Sequence, residues 1–194
     1  MARHSTLVCQ VCRLQPFPSD TLPAVVISGE LMWRADGPLT LSYGLLPVAP
    51  SDDGMLTDHL IGPWDRSPAL GVRRDQLWEH TCFEAFFALP GQDAYWELNV
   101  SPSGDWNLYR FSGYRQGRQP EPSVAAPSVS LHHHARGLRC TIALDSRGFW
   151  PSAQVPEIAL TTVIQHSGGS LSYWALSHPG HQADFHDRRG FLVL

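Results

Sequence analysis

Side chains able to bind a polar ligand alternate along two stretches of the chain, 80–87 and 95–111. Carboxylates, amides and rings there stand two residues apart, which places them on one face of β-strands. The set is His80, Cys82, Glu84, Phe86, Tyr95, Glu97, Asn99, Asn107, Tyr109 and Phe111. Aromatic rings stack on the apolar face of a pyranose while carboxylates and amides bind its hydroxyl groups. The pattern is therefore typical of a saccharide-binding surface, or else of the solvated outer face of an antiparallel sheet.

The residues of the predicted site are expected to have different roles in binding. We expect Tyr95 and Tyr109 to be stacking platforms, and an arginine, Arg110 or Arg115, to meet an acidic sugar. The predicted ligand-binding residues are Glu84, Tyr95, Glu97, Asn99, Asn107 and Tyr109. In this interpretation Glu84, Glu97 and Asn99 bind hydroxyl groups.

The same two glutamates also fit the carboxylate pair of a glycosidase. Such a pair needs roughly 5 Å or roughly 6.5–9.5 Å between the carboxyl groups, which neighbouring strands can supply. No Gly-x-Ser-x-Gly nucleophile elbow occurs in the sequence, and no other hydrolase signature accompanies the pair. The sequence therefore favours binding over catalysis, and we assign no catalytic residue.

Ten histidines raise the question of a metal or haem site. His132 and His134 share one face of a predicted strand and supply at most two ligands. His178 and His186 lie in the polar C-terminal stretch, and a histidine pair could ligate haem iron. No metal site is predicted; the candidate ligands, if one exists, are His80, His178 and His186.

No cofactor is predicted, although a calcium ion remains an alternative in the loop 51–58. Asp52, Asp53 and Asp58 supply the oxygen ligands that calcium prefers. Solvated acidic residues are the commoner explanation of such a loop.

Composition excludes several classes of protein. All fourteen basic residues are arginine, which excludes Schiff-base chemistry, pyridoxal phosphate attachment and a P-loop. The arginines are scattered and the net charge is −4, so no nucleic-acid partner is expected. No stretch approaches the roughly 20 apolar residues of a membrane span, and no signal peptide is evident. We expect a cytoplasmic protein with no membrane partner, whose four cysteines are free thiols.

Short apolar runs, separated by sixteen glycines and sixteen prolines, predict an all-β fold. We expect a single domain over 1–194, a β-sandwich of two antiparallel sheets (immunoglobulin-like or jelly-roll-like) with about 10–11 strands, and one short helix near 75–78. The predicted strands are 7–14, 24–34, 39–46, 80–89, 94–101, 106–112, 128–135, 138–145, 157–166, 171–177 and 191–194. Turns are expected at Pro90-Gly91, Ser103-Gly104 and Gly168-Gly169. The core face of the middle strands comprises Phe83, Ala85, Phe87, Trp96, Leu98 and Val100.

The middle of the chain resembles a known family. Trp78 and the alternating strand after it are followed by Tyr95-x-Glu97-x-Asn99, a strand that ends in Pro102-x-Gly104. This arrangement is similar to that of the DOMON-like proteins related to family 9 carbohydrate-binding modules. The closing segments 172–179 and 184–191 also resemble the ending of the DOMON-like group. The resemblance implies a β-sandwich that binds a small ligand, within a superfamily divided between sugars and haem.

Three functions therefore remain open at this stage. The first is a non-catalytic domain that binds a small molecule, a saccharide, on the face carrying Glu84 and Glu97. The second is a haem- or metal-binding sandwich that uses the histidines. The third is a protein-interaction domain, since exposed aromatic patches often dock other proteins. The sequence does not determine the oligomeric state.

Overall fold

The computed structural model describes residues 7–20, 22–34, 37–48, 71–134, 137–150 and 154–194. Within these ranges the protein is all-β, as predicted, with two short 3₁₀ turns, Leu77–Glu79 and Arg188–Gly190. The strands are β1 (Leu7–Pro16), β2 (Val25–Arg34), β3 (Leu39–Pro47), β4 (Cys82–Ala88), β5 (Tyr95–Val100), β6 (Trp106–Phe111), β7 (Gln119–Pro120), β8 (Ser128–His134), β9 (Gly137–Leu144), β10 (Glu157–Gln165), β11 (Leu171–Ala175) and β12 (Leu192–Val193). None of the described helical segments is long and apolar enough to cross a membrane.

The strands form one continuous antiparallel sheet. Its order is β7-β6-β5-β4-β10-β11-β1-β2-β3-β9-β8, and β12 pairs with β10. Strand β1 pairs with β2 from Leu7 to Leu14, and then Gln15 and Pro16 pair with β11. The expected two separate sheets are therefore joined, because β1 is long enough to belong to both halves.

The main hydrophobic core lies between the two halves of this sheet. It draws large apolar side chains from β2, β3 and β9 on one side and from β4, β5 and β10 on the other. The halves touch directly where the Tyr43 hydroxyl donates a 2.5 Å hydrogen bond to the backbone carbonyl of Glu84. They also approach closely at Gly29, where a Cβ atom would lie 2.8 Å from Leu160 Cδ1.

Strands β4, β5 and β6 alternate in the predicted way. The six side chains expected on the core face, Phe83, Ala85, Phe87, Trp96, Leu98 and Val100, all belong to the main core. Register then places the polar side chains together on the second face. Glu84 pairs with Asn99 and Asn99 with Asn107. In the neighbouring row Phe86 pairs with Glu97, which pairs with Tyr109.

The predicted turns are present, and the irregular segments differ in detail. Gly91, Gly104 and Gly169 adopt positive φ, which glycine tolerates without a steric penalty. The short helix expected near 75–78 is the 3₁₀ turn Leu77–Glu79. The short strand β7 is absent from the predicted strands, because Gln119–Pro120 carries no apolar alternation.

Two irregular elements cover the second face of the β4–β6 region. From one side, the Trp78 ring packs edge-on against Tyr109, with centroids 6.0 Å apart. From the other side, the C-terminal segment 177–191 places Phe185 and Phe191 6.3 and 6.2 Å from the Phe86 ring. This face is therefore neither an open sheet surface nor fully solvated.

Candidate ligand-binding site

The two covering elements leave a concave cavity of about 580 Å³ above β4 and β5. This volume lies in the range of about 300–1,000 Å³ that is usual for small-molecule sites. The lining residues are Trp78, Glu79, Glu84, Phe86, Glu97, Phe111, Arg115, Arg118, Val163, Leu171, Tyr173, Ala183, Phe185 and His186. Two predicted ligand-binding residues, Glu84 and Glu97, are among them.

Glu84 is a buried carboxyl group of the cavity wall with incomplete hydrogen bonding. It lies on β4 opposite Thr161 of β10, and its side chain is 2% exposed. Oε2 is 3.5 Å from the Thr161 hydroxyl that donates to it. Oε1 is buried and has no hydrogen-bond partner among the residues that the structure describes. Burial, assisted by the charge of Glu97, raises the pKa of Glu84 well above its ordinary value.

Glu97 is the second buried carboxyl group of the site. The Asn99 side-chain amide donates a 2.7 Å hydrogen bond to its Oε1. Burial raises the pKa of Glu97, and this bond together with Arg118 and Arg115 partly offsets the increase. Because two carboxyl groups in one buried site repel each other when both are ionised, the pair holds a proton to higher pH than isolated glutamates would.

Tyr95 and His186 connect the sheet to the C-terminal segment. The Tyr95 oxygen accepts the backbone N–H of Arg115 at 3.1 Å and lies 2.7 Å from His186 Nδ1. Burial raises the pKa of Tyr95 to about 12, while burial and the nearby arginines lower the pKa of His186 to about 4. Tyr95 therefore keeps its proton and His186 is neutral, and one hydrogen joins the Tyr95 oxygen to Nδ1. The other ring nitrogen, Nε2, lies 3.9 Å from Glu97 Oε2.

Asn107 and Tyr109 form a second buried network, against the loop before the 3₁₀ turn. The Tyr109 hydroxyl donates to Asp75 Oδ1 at 2.5 Å, and the Asn107 amide donates to the same oxygen at 3.0 Å. Burial and the Asp75 carboxylate raise the pKa of Tyr109. The two residues thus hold in place the segment that carries Trp78.

The prediction that Tyr95 and Tyr109 are stacking platforms for a ligand is wrong, because both side chains are buried. Tyr95 is 1% exposed and Tyr109 is 2% exposed, so neither ring offers a surface to a ligand. Asn99 is also fully buried, with its amide committed to Glu97. Alternation places all of these side chains on the correct face, but the covering elements then bury them.

Other aromatic rings line the cavity instead. Trp78 and Phe185 are half-buried, and Tyr173 is 37% exposed. The sequence pattern did not identify Tyr173 or Phe185, because they reach the site from β11 and the C-terminal segment. Trp78 lies before the alternating strand, so the alternation does not assign it to the site.

Two arginines line the cavity, and their guanidinium groups have different partners. Arg115 Nη2 is 2.8 Å from Asp184 Oδ1, and Asp184 also accepts a hydrogen bond from the Tyr114 hydroxyl. The Arg118 guanidinium carbon lies 5.2 Å from the centroids of both Trp78 and Tyr109. Arg110, the other predicted arginine, instead lies 5.7 Å from the Trp96 ring, outside the residues that line the cavity.

The candidate metal and haem ligands have separate partners. His80 Nδ1 lies 3.2 Å from Gln165 Oε1, and His178 Nε2 donates to the Gln15 carbonyl at 2.9 Å. His186 binds Tyr95. No group of three or more metal-ligating side chains occurs in the described part of the chain. The calcium alternative, with Asp52, Asp53 and Asp58, lies outside the described residues.

The fold is similar to those of solved carbohydrate-binding proteins. A candidate carbohydrate-binding protein from Bacteroides uniformis ATCC 8492 matches with a TM-score of 0.59 and 12% identity over 94% of this chain and 84% of that one. A family 9 carbohydrate-binding module from Caldicellulosiruptor kristjanssonii, in complex with cellotriose, matches with a TM-score of 0.44 and 12% identity over 86% of this chain and 72% of the module. The same kind of module from that organism with glucose gives 0.42, with 12% identity over 80% and 69%. Neither a protein-family model nor a curated protein matches the sequence.

Proposed function

We propose that this protein binds a saccharide in the cavity above β4 and β5 and catalyses no reaction on it. The observation that carries the proposal is the Glu84 carboxyl group, which lines the cavity with Oε1 buried and unpartnered. A buried polar atom without a partner costs about 1–3 kcal/mol. A ligand hydroxyl that reaches this carboxyl group would remove that cost.

The remaining lining supports a ligand that is both apolar and rich in hydroxyl groups. Trp78, Tyr173 and Phe185 offer accessible ring surface, on which the C–H face of a sugar can pack. Glu97 adds carboxylate acceptors beside Glu84. A carboxyl pair that shares a proton can both donate to and accept from hydroxyl groups, which suits a saccharide better than a purely apolar ligand.

The similar solved structure from Bacteroides uniformis is consistent with this proposal, since that protein is itself a candidate carbohydrate-binding protein of the same fold. Fold alone does not define function, and the argument therefore depends on the cavity. Three statements stay predictions from the sequence. They are the relationship to the DOMON-like group, the single domain over the whole chain and the cytoplasmic location.

The proposal is tested by calorimetric titration of mono- and oligosaccharides into the wild type, the Glu84→Gln variant and the Glu97→Gln variant. We expect one class of sugar to bind. We expect each substitution to weaken that binding about tenfold or more, because the amide replaces one oxygen acceptor by an NH₂ donor and a mismatched buried polar group costs about 1–3 kcal/mol. Each variant should keep its cooperative thermal transition. Glu30→Gln is the matched control, because Glu30 pairs with Arg139 in the other half of the sheet.

Two results would contradict the proposal. If no saccharide binds the wild type, the cavity is not a sugar site. If both cavity variants bind with unchanged affinity while folded, the ligand lies elsewhere. Incubation with chromogenic glycosides tests the proposal that the protein catalyses no reaction. If the wild type releases the chromophore and Glu84→Gln does not, the protein is a glycosidase.

A further inference from the structure

Arg118 is a cation at the wall of the cavity. Its guanidinium lies over the Trp78 and Tyr109 rings and its side chain lines the cavity. No carboxylate of a described residue forms an ion pair with it. A cation–π contact uses no N–H···carboxylate hydrogen bond, so the N–H groups of the guanidinium remain able to donate to a ligand.

Arg115 does not share this property. Its guanidinium already binds the Asp184 carboxylate at 2.8 Å, within the segment that covers the cavity. A ligand anion would have to compete with that ion pair. Of the two arginines that line the cavity, Arg118 is therefore the one whose donors remain available to a ligand.

The charge of Arg118 acts on the same groups that face the ligand. It offsets part of the increase that burial causes in the pKa of Glu97, and it adds to the decrease that burial causes in the pKa of His186. The other charged or titratable side chains that line the cavity are Glu79, Glu84, Arg115 and Tyr173. The cavity therefore offers a ligand both carboxyl groups, which bind hydroxyl groups, and a guanidinium, which binds an anion.

We propose that the saccharide bound here carries a carboxylate, as a hexuronic acid does, and that the Arg118 guanidinium binds that carboxylate. This inference rests on the proposed function. A planar carboxylate matches the guanidinium edge in a bidentate arrangement. One arginine that has no ion-pair partner among the described residues neutralises a single negative charge, which favours a carboxylate over a doubly charged phosphate. The hydroxyl groups of the sugar then bind Glu84 and Glu97.

The test compares matched pairs of sugars by calorimetry: D-glucose with D-glucuronate, and D-galactose with D-galacturonate. We expect a uronate to bind about tenfold or more tightly than its neutral partner at low ionic strength, and added salt to reduce only the uronate affinity. In Arg118→Gln the preference should disappear, because the affinity for the uronate should fall about tenfold more than the affinity for the neutral sugar. Arg118→Lys keeps the charge but loses the planar fork, and should give an intermediate preference.

Arg110→Gln is the matched control, since Arg110 is an exposed arginine over the Trp96 ring and does not line the cavity. It should leave both affinities unchanged. Equal affinity for the two members of each pair, or a uronate preference that survives Arg118→Gln, overturns the inference and leaves saccharide binding intact. If neither the neutral nor the acidic sugars bind, the inference and the proposed function fail together.

Discussion

At the scale of single residues, the Tyr95 hydroxyl is the contact that most directly joins the sheet to its cover. We expect Tyr95→Phe to keep the ring stacking on Phe111, at 4.7 Å between centroids, and to remove the hydroxyl. His186 Nδ1 and the Arg115 N–H would then lose their partner. The expected cost is about 1–3 kcal/mol, or a fall in Tm of about 2–10 °C, measured by calorimetric unfolding.

Tyr173→Phe is the control for that prediction. The Tyr173 side chain is more than one third exposed and lines the cavity, so loss of its hydroxyl should change the Tm little. Equal and small effects of the two substitutions would show that the bond between Tyr95 and His186 does not stabilise the fold.

At the scale of elements, Asp184 anchors the C-terminal segment over the cavity. Its carboxylate accepts hydrogen bonds from the Tyr114 hydroxyl, Arg115 Nη2 and the backbone N–H of His186. Partial burial raises its pKa, but these bonds outweigh burial, and the pKa of Asp184 is lowered. We expect Asp184→Asn to let the segment 177–191 open locally, because it replaces charge-assisted hydrogen bonds with neutral ones.

Hydrogen exchange measures that opening. The amide of Phe191, which donates to the Arg188 carbonyl at 3.0 Å, should exchange about tenfold faster in Asp184→Asn, while amides of β4 and β5 stay protected. Asp145→Asn is the control, since Asp145 pairs with Arg147 outside the cavity. Faster exchange throughout the sheet would contradict a local effect, and unchanged exchange at Phe191 would show that Asp184 is not the anchor.

At the scale of the whole molecule, the neutral His186 links stability to pH. Its pKa is about 4 in the folded protein, below the ordinary 6.5. Between these values the unfolded chain binds more protons, so folding stability falls as the pH drops from about 6.5 to about 4. The contribution is at most about 3 kcal/mol, at about 1.36 kcal/mol per pKa unit. Glu84 and Glu97 act in the opposite direction, because their raised pKa values stabilise the fold as the pH falls.

The His186 contribution is isolated by comparing the wild type with His186→Asn, whose side-chain oxygen can still accept from Tyr95. Other groups titrate in both proteins and cancel in the difference. We expect the Tm of the wild type to fall more steeply than that of the variant between pH 6.5 and 4.5, by differential scanning calorimetry. Parallel curves would show that His186 does not carry this pH dependence.

The two-residue alternation of the middle strands, and the face to which it assigns each side chain, can be read from the amino-acid sequence alone. Alternation is a local property of extended backbone, so it correctly separated Phe83 and Trp96, which face the main core, from Glu84 and Glu97 on the other face. Glycine at turns such as Ser103-Gly104 is equally local, because the required positive φ belongs to one residue.

The elements that cover that second face are set by tertiary packing. The 3₁₀ turn and the C-terminal segment pack there through Trp78, Phe185 and His186, and they bury Tyr95 and Tyr109 while leaving a cavity over Glu84 and Glu97. These contacts join residues distant in the chain, and no periodic pattern encodes them. The continuity of the sheet through β1 has the same origin, because strand pairing is a choice between distant partners that local propensity does not specify.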